Sequence, residues 1–566
     1  MRVDKQTIIH VVLIAIVFVV AYSYVFDSKL DLNGDNATYI ELARNMAEGH
    51  GYCHIGAGGV HQPANHFPVG YPFVLSVLIW LGLDNLIAFK VLNGIFMLTA
   101  LLLLYFTFRG LAGTREGGPA EAKTAGASTV EKSGAPALSL AFTLLAATSV
   151  QLLRFASMAM SEMSYMAISF LCLFALMQLA REDGLQAKAG DQATSKTGAK
   201  GLGAWFWVAV VSAAAGYYIR AVGASLAFTL LIFFLVRGEW KRAAVGTGGI
   251  IALISPWFIR GKVLGLKTRY LAPILAKNYW RPDEGQISSV SEFLEKTWTN
   301  LDDTVLRGFH SALFQGWQGY ATQPTKAGTI VLGFIILAIV IYGLWALKPM
   351  RWALLAFLAA NIGFLLLWNG GNDIRYVTPF IPVVFMGFWN GVYILLINII
   401  RPLAKVSWLP YLALLVALAS IKPLQDQHKA ANQPVPAAYR NFYSLAGTFK
   451  DVRKTGDVVV CNRKPGLFKY YAPKVVSVSY LYTADSKALI QRMVDQKVDF
   501  VVLEQLGYSS TPMYLYPAIT SHPDLFEVVR VIPKPDTYLL RFDRQKAEQM
   551  LSATGQTSEP GQTTEP

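Results

Sequence analysis

Two acids and a small set of arginines are the residues of this chain best suited to chemistry. Asp35 stands in Asp31-Leu32-Asn33-Gly34-Asp35-Asn36-Ala37-Thr38-Tyr39, and Glu162 closes Arg154-Phe155-Ala156-Ser157-Met158-Ala159-Met160-Ser161-Glu162. A carboxylate within hydrogen-bond reach of a hydroxyl can take its proton as a new bond forms. Each acid also has a plain alternative. Asp35 precedes a helical pattern over 36–48, with Tyr39, Ile40, Ala43, Met46 and Ala47 on one face, and could be its N-cap. Glu162 follows Ser161 at the start of an apolar run, where an acid in the first helical turn is favourable without any further role.

The cations fall in comparable places. Arg220 ends an apolar run after Tyr217-Tyr218-Ile219. Arg260, Lys262, Lys267 and Arg269 follow Pro256-Trp257, and Arg375-Tyr376 precedes Pro379 and Pro382. A planar guanidinium suits bidentate contact with phosphate. The alternative for each is snorkelling to lipid headgroups. Residues 278–285 (Asn-Tyr-Trp-Arg-Pro-Asp-Glu-Gly) could shape a pocket or anchor at the interface. Four histidines, His50, His54, His61 and His66, crowd one stretch with Cys53 among them. A metal site is conceivable there, but the spacings match no standard site. His66, just before Phe67-Pro68, is placed to approach the acids.

The elements that position these residues are membrane helices. Hydrophobic residues make up 54% of the chain and charged residues 15%, against about a quarter in soluble domains. So many apolar residues need a lipid-facing surface. Runs of spanning length recur near 7–25, 86–108, 136–154, 163–180, 203–219, 221–237, 244–260, 327–346, 352–368, 376–398 and 407–422, about eleven in all. The net charge of +14 gathers as Lys and Arg in alternate short loops, which are inside if the N-terminus is inside. That pattern excludes a nucleic-acid binder, since no basic stripe belongs to a nucleic-acid module. The opposite, outer side then holds a first loop (26–71), the Met158–Glu162 turn, a long loop (261–325), the Asn369–Arg375 turn and the C-terminal region. Pro72–Leu83 reads as a helix lying at the interface.

The expected fold is therefore a polytopic α-helical membrane domain over 1–424. A soluble α/β domain follows over 425–545, outside the membrane, with a disordered tail over 546–566. Strands are expected at 457–463, 474–480, 498–504 and 537–543, and amphipathic helices at 437–452 and 486–496. Cys53 and Cys461 share the outer side and could pair or remain free thiols.

The outer-loop motifs resemble those of GT-C fold membrane glycosyltransferases, and specifically glycosyltransferase family 39. That family includes protein mannosyltransferases and lipid A aminoarabinose transferases. The matching residues are Asp35, Tyr39, Ala43, Gly51-Tyr52 and Phe67-Pro68-Val69-Gly70-Tyr71-Pro72, then Glu162 at the second outer turn and Arg375-Tyr376 before Pro379. The resemblance implies an inner-membrane enzyme that moves a sugar from a polyprenyl-phosphate donor to a lipid, glycan or protein on the outer face. It implies a catalytic role for Asp35, with Asp31 as the fallback, and a site role for Glu162. Arg375, Arg269, Arg220 and Arg260, with Tyr39, Tyr376 and His66, would meet the substrate or its phosphate. Family 39 chemistry needs no metal, while oligosaccharyltransferases of the same fold use a divalent ion, and this first loop lacks a DxD. Two other readings remain: a glycan ligase using a lipid-diphosphate donor, and a lipid or solute transporter. Transporters usually carry ionisable residues near the membrane midplane, whereas here they gather at span ends.

Overall fold

The computed structural model describes residues 4–112, 131–188, 201–266, 274–278, 284–315, 326–368, 374–406 and 408–555. The chain opens with α1 (Lys5–Val25), started by Asp4, whose side chain accepts from the Thr7 amide. The first loop then folds as α2 (Asp35–Ala47), a small hairpin of β1 (Cys53–Ile55) and β2 (His61–Pro63), and α3 (Gly70–Trp80). The apolar helices α4 (Leu86–Ala112), α5 (Glu131–Ala147), α6 (Val150–Ala156) and α7 (Glu162–Lys188) follow. Further helices run over Ala204–Ile219, Ala224–Val236, Trp240–Val263, Ala327–Trp345, Arg351–Leu367 and Ile381–Ile399.

This is a multi-pass membrane protein. Six of the described helices are long and apolar enough to cross a bilayer, or seven if α5 and α6, bent by 58°, are one broken crossing. The expected runs at 203–219, 221–237 and 352–368 form shorter apolar helices. The run expected as a last crossing, 407–422, is instead a 3-10 helix, Leu409–Ser420. Close helix approach depends on small residues, as membrane interfaces favour. A Cβ on Gly343 would lie 1.8 Å from the Gly387 carbonyl oxygen, so Ala327–Trp345 and Ile381–Ile399 meet backbone to backbone.

Charged residues gather at the two ends of the bundle. At one end Asp183 accepts from Arg237 at 2.6 Å and from Arg242 at 2.9 Å, and Glu239 joins them. At the other end lie the first loop, Glu162, Arg220, Arg375 and the soluble domain, tied by contacts detailed below.

The soluble domain is built on a five-stranded sheet of order β4-β3-β5-β7-β6. Its strands are β3 (Val459–Cys461), β4 (Val476–Val478), β5 (Phe500–Leu503), β6 (Phe526–Ile532) and β7 (Thr537–Phe542). β3 pairs parallel with β4 and β5, while β7 pairs antiparallel with β5 and β6. β6 was not expected from the sequence. It is an exposed edge strand, so burial imposes no apolar–polar alternation on it. The expectation of disorder from 546 also needs correction: Arg544–Gly555 is a helix, with Ala547 fully buried and Met550 and Leu551 packed on the sheet's core. Those three sit at helical spacing and supply an apolar stripe that polar composition obscures. Residues 556–566 lie outside the described residues.

Candidate active site

Gly34 and the first turn of α2 deliver Asp35. Gly34 has φ of 100°, a left-handed conformation that glycine adopts without a Cβ clash, and it is the N-cap. Asp35 is thus the first helical residue and not the cap, and no side chain caps this helix. Its carboxylate is directed elsewhere: Oδ2 accepts from Nη1 of Arg375 at 2.6 Å. Asp31 serves its own turn, with Oδ1 accepting from the Asn33 amide at 2.9 Å.

Arg375 joins the two candidate acids. Its Nη1 meets Asp35 and its Nε donates to Oε1 of Glu162. The same Glu162 oxygen accepts from Nη1 of Arg220 at 2.7 Å. Arg220 also donates to Ser161 Oγ at 3.1 Å, and Ser161 Oγ lies 3.3 Å from the Tyr39 hydroxyl. Two carboxylates and two guanidiniums give a locally neutral cluster, the condition for holding charge away from water. Burial grades across it. The Glu162 side chain is 0% exposed, Arg375 9%, Arg220 13% and Asp35 31%. A substrate approaching from outside therefore meets Asp35 first, with Glu162 behind it. Glu162 Oε2 is buried and makes no hydrogen bond among the described residues.

The surrounding elements hold this geometry. Gln151 on α6 donates to the Ile374 carbonyl and to Thr378 Oγ1, both at 2.9 Å, fixing the turn that carries Arg375. Asn93 on α4 donates to the Met158 and Met160 carbonyls, fixing the turn before Glu162. Tyr39 packs on Phe67 and Tyr71, with ring centroids 4.5 and 5.1 Å away. Burial pushes its hydroxyl up to about 12, so it stays protonated. Tyr376 faces the Arg375 guanidinium at 5.8 Å. Ser161, Gln151 and Asn93 were not singled out in the sequence. Only the adjacency of Ser161 to Glu162 offered a signal, because the other two act through backbone carbonyls distant in the chain.

Other candidates go elsewhere. Arg260 donates to the Ala64 and Tyr52 carbonyls at 3.1 Å each, and its guanidinium stands over the Tyr52 and Trp257 rings. It braces the first loop, its donors spent on that loop's backbone and not on the acid cluster. His66 packs edge-on against Phe67 at 4.4 Å, one ring removed from Tyr39. Arg269, Lys267 and 279–283 lie outside the described residues.

The histidines spread over separate partners: His50 beside Glu48 and His61, His54 beside Glu41. Among the described residues no group of three or more His, Cys, Asp or Glu could hold a metal ion. Asp35 and Glu162 do not fit one either, because Arg375 already bridges them and supplies the cation between them. Cys53 and Cys461 are free, buried thiols, and burial raises both.

No protein-family model matches this chain, and no curated protein matches it. Solved structures do. The archaeal oligosaccharyltransferase AglB from Archaeoglobus fulgidus, in complex with an inhibitory peptide and a dolichol-phosphate, superposes with a TM-score of 0.53 at 13% identity, over 87% of this chain and 69% of that one. ArnT from Cupriavidus metallidurans bound to undecaprenyl phosphate gives 0.51 at 12% identity, over 94% and 97%. Its apo state gives 0.52 at 13%, over 94% and 98%. At such identities the likeness is one of fold, and the chain has the GT-C fold of these membrane proteins.

Proposed function

We propose that this chain is an integral membrane glycosyltransferase that moves a sugar from a polyprenyl-phosphate donor to a hydroxyl on a lipid, glycan or protein. The observation that carries this reading is Arg375 shared between a buried acid, Glu162, and a reachable one, Asp35. Two of the solved structures similar in fold hold a dolichol-phosphate and an undecaprenyl phosphate, which supports the donor class.

The chemistry follows from the arrangement. The acceptor hydroxyl oxygen attacks the anomeric carbon, its proton passes to Asp35, and the bond from that carbon to the donor phosphate breaks, with its electron pair staying on the phosphate. Arg375 and Arg220 stabilise the charge left on that phosphate. The Asp35 oxygen that would take the proton now accepts from Arg375. Donor phosphate that draws Arg375 toward itself would release Asp35 to accept the proton, so donor binds before acceptor. Glu162 keeps both guanidiniums aimed through one shared oxygen. The reaction needs no metal on this reading, since the guanidiniums provide the positive charge. The N-terminus lies on the cytoplasmic side of the plasma membrane and the soluble domain outside. A transporter is disfavoured because the ion pairs cluster at span ends.

The test is transfer of label from polyprenyl-phosphate sugars in proteoliposomes, with and without chelator. Label should move to an acceptor, or to water, only when the protein is present and at the same rate with chelator. No transfer from any monophosphate donor, or transfer abolished by chelator and restored by a divalent ion, would contradict the reading.

A further inference from the structure

We infer that Lys469 of the soluble domain is a positioning residue for the transfer, clamping Glu41 so that α2 presents Asp35 to Arg375. This rests on the reading of Asp35 given above.

The clamp is built from contacts between distant parts of the chain. Glu41 lies on α2, six residues after Asp35, and turns away from the acid cluster. Its Oε1 accepts from Lys469 Nζ at 2.7 Å and lies 3.0 Å from His54 Nδ1. The Glu41 and Lys469 side chains are 13% and 10% exposed. Burial alone would raise the Glu41 carboxyl, but the hydrogen bond to His54 and then the charge of Lys469 outweigh it and hold Glu41 down at about 2. A buried carboxylate of this kind is costly unless its partners stay in place.

Two neighbouring contacts act on the same helix. Lys464 Nζ donates to the Asn33 carbonyl at 2.6 Å, one residue before the Gly34 turn. The backbone at Gly466 presses on the first turn of α2, where a Cβ would lie 2.6 Å from Thr38 Oγ1 and 3.1 Å from the Gly34 carbonyl oxygen. The hairpin tip is held in the same way. The Gly58 amide donates to the Gly456 carbonyl at 3.0 Å, and a Cβ on Gly456 would lie 2.3 Å from the Gly59 nitrogen.

The rest of the chain holds α2 through Asp35 to Arg375, through Arg44 to Asp84, and through Tyr39 against Ser161, Phe67 and Tyr71. An isolated 13-residue helix is marginal in water. A displacement of about 1 Å in a reacting group can cost a factor of 10² in rate. The soluble domain therefore reaches the chemistry through α2 without touching substrate.

The test uses the full chain in proteoliposomes with Lys469→Met, Lys469→Arg and the exchange pair Glu41→Lys with Lys469→Glu. Hydrogen exchange across residues 35–47 is measured alongside kcat and KM. Lys469→Met should lower kcat by about tenfold or more, leave the donor KM within about twofold, and speed exchange in α2 but not in α4 or α7. Lys469→Arg should restore most of kcat. Parental kcat and α2 exchange in Lys469→Met would overturn the proposal. So would a loss of kcat with α2 protection unchanged, or with exchange accelerated equally in α4 and α7. Asp35→Asn in the same series separates the two claims. If it turns over like the parent, the assignment of Asp35 fails, while α2 exchange still reports on the clamp.

Discussion

Replacing Glu162 with Gln removes one charge from a neutral group of four. The Glu162 side chain is 0% exposed and accepts from both Arg220 and Arg375 through one oxygen. At an effective dielectric near 20, a unit pair 2.7 Å apart attracts by about 6 kcal/mol. Burial of Glu162 offsets several kcal/mol of that, and removing one partner of such a buried cluster typically costs about 3–5 kcal/mol. Most of the loss falls on Arg220, which otherwise donates to Ser161 Oγ. Arg375 keeps Asp35 and pairs with it more closely, which occupies the Asp35 oxygen and misdirects the phosphate contact. Turnover should fall by about 10²-fold or more, the usual effect of losing one preorganised donor. The assay is thermal unfolding of the purified protein with initial rates of sugar transfer. Glu162→Gln should unfold at lower temperature and turn over far more slowly, with Glu162→Asp between it and the parent. Parental values for both quantities would refute the idea that Glu162 sets the arginines.

Arg375→Lys keeps the charge but offers one compact ammonium that cannot span both acids, so turnover should drop at least about tenfold in the same transfer assay. Glu41 sits near 2 in the fold against an ordinary value near 4.5. Its contribution is full above about pH 4.5 and is lost as pH falls toward 2, on the order of 3 kcal/mol in total; acid titration of α2 protection should show this in the parent and a flatter response in Glu41→Gln. Gly343→Ala forces a Cβ to 1.8 Å from the Gly387 oxygen and should cost about 1–3 kcal/mol in unfolding. Gly328→Ala, with nothing within 4 Å, should unfold like the parent.

Apolar periodicity was enough to read a multi-pass helical membrane protein, and alternation to read most strands of its small sheet. Those patterns are local. The exposed edge strand Phe526–Ile532 and the helix after Arg544 escaped because the first has no buried face and the second hides its stripe in polar sequence. Asp35, Glu162, Arg220 and Arg375 were legible as candidates because each sits at a span end or loop start. Their mutual contacts were not, since Arg375 and Asp35 are 340 positions apart. Arg260 ranks after the other three arginines as a candidate, and its donors go to two backbone carbonyls of the first loop. Which arginine reaches an acid depends on helix rotation and loop path, and neither leaves a mark on local composition. The ion pair from Glu41 to Lys469 lies beyond sequence reading for the same reason.

The most direct test of the central claim is kcat for Asp35→Asn with labelled polyprenyl-phosphate sugar and a hydroxyl acceptor. Asn keeps the shape of the side chain and removes its ability to take a proton, and loss of a general base commonly costs about 10²–10⁴-fold. The account predicts a fall of that size with donor binding retained through Arg220 and Arg375. Turnover equal to the parent would contradict it.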